Sequence, residues 1–95
     1  MNKEKKFTGY GTCVLENGEY TGELENGVRQ GYGVMKFTNR DLYDGDWDNG
    51  KMHGQGVYRF WNIQKDRFNQ TYKGQFNHGI REGIGRMEYA NHNVY

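Results

Sequence analysis

Aromatic residues and glycines alternate with polar residues in the middle of the chain. The stretch Tyr43–Phe60 contains Tyr-x-Gly-x-Trp, then Asn-Gly, then Gly-x-Gly-x-Tyr-x-Phe. Alternation with a period of two is typical of β-strands that have one distinct face. Asn49-Gly50 can adopt the positive φ angles that a chain reversal needs. The pattern therefore predicts a strand, a turn over Asp48–His53 and a second strand.

Several glycines lie inside the predicted strands, where glycine normally weakens pairing. Large aromatic side chains share the face of these glycines, so we expect rings packed over the bare backbone of neighbouring strands. The glycines to which we assign this structural role are Gly22, Gly31, Gly33, Gly45, Gly54, Gly56, Gly74, Gly83 and Gly85.

The same pattern occurs three times, beginning at Tyr20, Tyr43 and Tyr72. Recurrence at a fixed period is the signature of a repeat protein. We divide the chain into a charged, disordered N-terminus (1–6) and an array over 7–95. The array contains a half unit (9–19), units 20–42, 43–71 and 72–94, an insertion at about 62–71, and Tyr95 as the start of a further unit.

The composition favours an all-β fold, because the chain has 15 glycines, one alanine and no proline, and 16% of its residues are aromatic. Successive hairpins with short connections predict a meander. We therefore expect an elongated, single-layer antiparallel sheet of stacked β-hairpins, about seven strands wide, stabilised by contacts between neighbours.

The units resemble the MORN (membrane occupation and recognition nexus) repeat, whose pattern places tyrosine, glycine and tryptophan at these positions. The resemblance extends from Gly9 to Tyr95, with Leu24 and Phe76 in place of the tryptophan. It implies the same hairpin meander. It also implies scaffolding roles in cytoskeletal, ciliary or membrane-associated assemblies, often as a dimer or as a fixed part of a larger complex.

The aromatic face of such a sheet has no second layer to cover it. One interpretation is that the aromatic residues are simply the core of the fold. The other is that they line a groove for a helix or an extended peptide of a partner, because exposed apolar patches usually mark binding sites and aromatic residues are enriched in interfaces. The predicted groove residues are Tyr20, Leu24, Phe37, Tyr43, Trp47, Tyr58, Phe60, Tyr72, Phe76 and Tyr89.

The insertion also has two interpretations. It is either a longer, solvated hairpin tip or a projecting hairpin that contacts a partner through Trp61, Ile63 and Phe68.

Charge and cysteine content exclude several classes of protein. A net charge of +1 predicts no nucleic-acid partner and argues against anionic lipid as the main ligand. The lone Cys13 and the absence of a signal-peptide core indicate a reducing, cytoplasmic compartment, and no apolar run reaches transmembrane length.

Catalytic chemistry is not indicated. The chain has no serine, and Cys13 has no histidine near it in the sequence to act as a base. His53, His78 and His92 lack metal-ligand spacing. We therefore predict no catalytic residue, no metal site and no cofactor.

The sequence predicts a non-catalytic protein-interaction and scaffolding module within a cytoskeletal or ciliary assembly, which binds a partner segment or a second copy of itself. Two alternatives stay open. One is a membrane-associated module that binds anionic phospholipids, and the other is the regulatory MORN end of a larger enzyme.

Overall fold

The structure is a computed structural model that describes residues 7–89. Seven antiparallel strands form one sheet in which the spatial order of the strands follows the chain. The strands are β1 (Gly9–Leu15), β2 (Gly18–Glu25), β3 (Val28–Phe37), β4 (Leu42–Asp48), β5 (Lys51–Asn62), β6 (Arg67–Asn77) and β7 (Ile80–Tyr89). The sheet measures 60 × 29 × 18 Å, which confirms the prediction of an elongated, single-layer, all-β meander.

Some expectations fall on residues that the structure does not describe. The predicted disordered N-terminus (1–6) and the predicted new unit at Tyr95 lie outside the described residues. Within residues 7–89 no helix is long and apolar enough to span a membrane.

The two strands of each unit are joined by a turn of two residues, and both residues have positive φ. The φ values are 53° and 80° at Asn26-Gly27, 54° and 85° at Asn49-Gly50, and 47° and 94° at His78-Gly79. Two consecutive positive φ angles define a type I′ turn, whose twist matches that of the flanking strands. The predicted turn over Asp48–His53 was therefore too long, because Lys51 already pairs with Asp48.

The ladder inside each unit has one irregular place. One residue of the first strand faces three residues of the second: Glu23 faces Gln30–Tyr32, Asp46 faces His53–Gln55, and Gln75 faces Glu82–Ile84. The middle residue of each triplet is a glycine with positive φ. A Cβ on any of these glycines would meet the side chain of the facing residue and not an aromatic ring, which corrects the role predicted for Gly31, Gly54 and Gly83.

The core is a continuous file of rings on one face of the sheet. Trp47 packs edge-on between Tyr20 and Tyr43, at centroid distances of 5.4 and 5.1 Å. Phe76 packs in the same way between Tyr43 and Tyr72, at 5.1 and 5.3 Å. Edge-to-face packing is a favoured arrangement of aromatic pairs. Each unit is thus packed against the next one through these rings.

A second feature crosses all seven strands. One glycine from each strand lies in a single row, which we call the glycine row: Gly11, Gly22, Gly33, Gly45, Gly56, Gly74 and Gly85. On the aromatic face, a Cβ on Gly33 would collide with the ring of Tyr20, and a Cβ on Gly56 would collide with that of Tyr43. The rings thus occupy the space that side chains would need.

Candidate functional site

Most of the side chains predicted to line an aromatic groove are buried within the chain. The buried members are Tyr20, Leu24, Tyr43, Trp47, Tyr72 and Phe76. The three tyrosine rings pack over glycines of the next strand, and Trp47 and Phe76 pack between them, so little of this surface is left for a partner. The structure assigns these six residues to the core, which was the other interpretation of the aromatic face.

The remaining predicted groove residues keep some exposed surface. Phe37, Tyr58 and Phe60 are half-buried and form a strip, with centroids 5.7 Å apart for Phe37 and Tyr58 and 4.7 Å apart for Tyr58 and Phe60. Tyr89, on β7, is 61% exposed. The Tyr58 hydroxyl donates a hydrogen bond of 2.8 Å to Asp41, and its pKa is raised, mainly by burial and then by this carboxylate.

The insertion extends the β5–β6 hairpin and does not form a loose tip. Trp61 and Phe68 face each other across the hairpin with centroids 5.0 Å apart, and Arg40 lies over the Trp61 ring at 5.4 Å. Ile63 at the tip is 83% exposed. Two of the three predicted contact side chains therefore pack within the chain, and Ile63 is the one that projects.

A depression of about 910 Å³ lies on the opposite, polar face of the sheet. We call it the trough. Four members of the glycine row form its floor: Gly45, Gly56, Gly74 and Gly85. Its walls are Tyr32, Asp44, Asp46, Gln55, Val57, Lys73, Gln75, Ile84 and Arg86. The Cβ positions of the row point to the aromatic face, so on the polar face the row presents only backbone between the side chains on either side of it.

The trough has a charge gradient along its length. Asp44 and Asp46 on β4 make one end acidic, and Lys73 on β6 with Arg86 on β7 make the other end basic. Asp44 accepts a hydrogen bond of 2.6 Å from the hydroxyl of Tyr32, and this bond, followed by burial, raises the pKa of Tyr32 to about 12. Tyr32 therefore stays neutral at physiological pH.

Sequence reasoning missed the trough because it looked for a binding surface among the aromatic residues only. The glycines that form the row recur at intervals of 11 or 12 residues except across the insertion, which indicates that they lie side by side in the sheet. The shape of the polar face depends on the side chains beside the row and on the twist of the sheet, which the spacing does not predict.

The structure also brings together three side chains that sequence spacing kept apart. Potential ligand atoms of Asp48, His53 and His78 all lie within 4.8 Å of one another. The Asp48 Oδ2 and His78 Nε2 atoms are 3.2 Å apart, and the two imidazole rings stack with centroids 4.3 Å apart. We had predicted no metal ligand because His53 and His78 are far apart in the sequence. The array places them side by side because they belong to successive units.

Comparison with curated proteins finds no match. A family model described as MORN repeat matches residues 3–19, 20–42, 43–60 and 72–94, which together make up more than half of the chain. MORN repeats are generally interaction modules for proteins or membranes, and the repeat itself is a non-catalytic module. The matched segments, together with the seven-stranded hairpin sheet, show that the chain belongs to the MORN repeat family.

Proposed function

We propose that this chain is a non-catalytic protein-interaction module that holds a helical or extended segment of a partner in the trough. The observation that carries the proposal is the trough itself, in which two lines of side chains stand on either side of a line of exposed backbone, so that a partner segment fits between them. A site of about 910 Å³ with a few exposed apolar side chains among charged ones is typical of a surface that binds peptides.

Apolar contact comes from the walls. Ile84 is 86% exposed and Tyr32 is 43% exposed, and both lie on the rim of the trough. Aromatic side chains are enriched in interfaces, and an exposed aliphatic side chain beside a depression gains free energy when a partner covers it. They support a partner segment that places at least one apolar side chain against Ile84.

The charge gradient predicts which charged residues the partner segment carries. Lys73 and Arg86 share one acidic neighbour, Glu88, at 3.4 and 3.6 Å, so a net positive charge remains at that end. Complementary charges give specificity and direction to association. The partner segment therefore carries basic residues over Asp44 and Asp46 and acidic residues over Lys73 and Arg86.

Selection from a phage-displayed library of random peptides tests this proposal. Enriched peptides should share a basic half, an acidic half and an apolar residue between them, because these groups complement the trough. Affinity for a synthetic enriched peptide, measured by isothermal titration calorimetry, should fall at least about tenfold in Ile84→Glu. Affinity should also fall as salt concentration rises, since exposed charges are screened.

Val14 supplies the matched control. It is 81% exposed on the same face but does not line the trough, so Val14→Glu should bind the peptide as the wild type does. Equal losses in Val14→Glu and Ile84→Glu would place the binding site elsewhere. Failure to enrich any peptide, together with binding to vesicles that contain anionic phospholipid, would favour the membrane alternative instead.

The cytoskeletal or ciliary setting and a homodimer remain part of this proposal on the resemblance, and the cytoplasmic location remains part of it on the lone Cys13 and the lack of a signal-peptide core. The half-buried strip of Phe37, Tyr58 and Phe60 on the aromatic face is a second, smaller surface that a partner could extend onto.

A further inference from the structure

We propose that Asp48, His53 and His78 form a binding site for a divalent transition-metal ion such as Zn²⁺, located between the second and third units. Two imidazoles and one carboxylate form a donor set that zinc accepts in proteins, with water in the fourth position. The side chains are partly exposed, so an ion and its water have access to them.

The fold delivers the three ligands from separate elements. Asp48 is the last residue of β4, and His53 lies in the irregular triplet of β5. His78 is the first residue of the type I′ turn between β6 and β7, at a φ of 47°. The ligands thus come from rigid hairpin ends, and an ion held by them would join unit 43–71 to unit 72–94.

The distances are close to those of a metal site. At metal–ligand distances of about 2.0–2.2 Å, two ligands of a tetrahedral ion lie about 3.3–3.5 Å apart. The Asp48 Oδ2 and His78 Nε2 atoms are separated by 3.2 Å. The two rings are nearly parallel, at 22°, so one imidazole must turn before both can point at a single ion. Such ring torsions are broad, so this turn is a small adjustment.

The carboxylate is already oriented for coordination. Gln30 donates a hydrogen bond of 3.0 Å to Oδ1 of Asp48, which leaves Oδ2 facing the histidines. Carboxylates that ligate metals are typically held by a hydrogen bond of this kind from a neighbouring side chain.

A purely structural explanation exists for His53. Its Nδ1 accepts a hydrogen bond of 3.3 Å from the backbone N–H of His78, just as Gln30 accepts one of 2.9 Å from the N–H of Asn49. The bond at His53 is long and exposed, so giving it up to a metal costs little. The matching contact at Gln30 shows that glutamine can perform this structural role without an imidazole.

The other units of the repeat suggest substitutions that distinguish metal binding from a purely structural role of these side chains. The residues of other units at the same positions are Gln30 for His53, Asn49 for His78 and Asn77 for Asp48. His53→Gln, His78→Asn and Asp48→Asn therefore install side chains that this sheet already accommodates, so the variants should fold and melt like the wild type when no metal is present.

The test is calorimetric titration of ZnCl₂ into the metal-free full-length chain. We expect one saturable site per chain, an affinity at least about tenfold lower in each of the three variants, and a Zn²⁺-dependent rise in melting temperature that the variants lose. MgCl₂ should produce no such rise, because imidazole ligands suit zinc better than magnesium.

His92→Gln is the control for the remaining histidine and should bind Zn²⁺ as the wild type does. Unchanged binding in His53→Gln or His78→Asn, or the absence of saturable binding to the wild type, would overturn the proposal. The absorption spectrum of the Co²⁺-loaded wild type gives a readout that needs no variant. Intense tetrahedral bands support the site, and a weak octahedral spectrum speaks against it.

Discussion

At the scale of single residues, the leading tyrosine of each unit is the side chain that closes the core. The hydroxyls of Tyr20, Tyr43 and Tyr72 donate hydrogen bonds of 2.6, 2.8 and 3.2 Å to the carbonyl oxygen three residues further on. The alternation in the sequence predicts rings over glycines. It does not predict these hydrogen bonds, because they depend on the irregular ladder that frees the accepting carbonyls.

Because these tyrosines are buried, the stability of the fold changes with pH in the alkaline range. Burial, followed by the nearby Glu23, raises the pKa of Tyr20 from 10.0 to about 12. The unfolded chain therefore releases this proton first, and the free energy of unfolding should fall as pH rises from about 10 through about 12. Tyr20→Phe should be less stable by about 1 kcal/mol at neutral pH, through loss of the hydrogen bond, and this deficit should shrink at alkaline pH.

Urea unfolding at about pH 8 and about pH 11 measures the effect. Tyr89→Phe is the control, since Tyr89 on β7 is 61% exposed in the folded chain and its substitution should change the free energy of unfolding by no more than about 0.5 kcal/mol. A deficit of Tyr20→Phe that stays constant over this pH range would contradict the argument.

At the scale of elements, the sequence predicts the strands well and their ends less well. Lys51–His53 looked like a turn because the segment is polar, but the type I′ turn at Asn49-Gly50 needs two residues only, and the ladder restarts at once. The irregular triplets likewise cannot be recognised from the sequence of a single unit. A glycine such as Gly54 can lie under a ring or opposite a bulky neighbour, and only the register distinguishes the two.

The carboxylate of Asp41 links the β3–β4 turn to the extended β5–β6 hairpin, next to the contact of Arg40 with the Trp61 ring. Asp41 accepts hydrogen bonds of 2.8 Å from the Tyr58 hydroxyl and of 2.8 Å from the backbone N–H of Trp61. Asp41→Ala leaves both donors without this acceptor, and we expect it to lower the free energy of unfolding by about 1–3 kcal/mol in urea titrations.

Asp66 provides the comparison for this prediction. Its ion pair with Arg40, at 3.6 Å, is largely exposed, and Asp66 has a positive φ of 56° that asparagine also tolerates, so Asp66→Asn should change the stability by no more than about 0.5 kcal/mol. If the two variants lose similar amounts, the hairpin is held by general packing and not by Asp41.

At the scale of the whole molecule, the sheet has one packed face and one open face, and the sequence alone does not distinguish their uses. The aromatic residues predicted both a core and a groove. The packing of Trp47 between Tyr20 and Tyr43 fills the aromatic face, while the polar face keeps the trough. Which face has free volume depends on how rings from successive units interlock, and that is a property of the assembled array.

The array should also unfold unevenly, because extensive contacts join neighbouring strands only. The side chains of β7 from Ile80 to Arg86 are all exposed, whereas β4 carries the buried Tyr43 and Trp47. In hydrogen–deuterium exchange, amides of β7 should exchange at least about tenfold faster than those of β4.

Phe76→Ala removes the ring between Tyr43 and Tyr72, so exchange should accelerate in β6 and β7 and stay unchanged in β2. Equal acceleration in all strands would mean that the sheet opens as one cooperative unit. Acceleration confined to β6 and β7 would mean that each unit is stabilised by its neighbours alone, so that a ligand bound across two units stiffens those two units only.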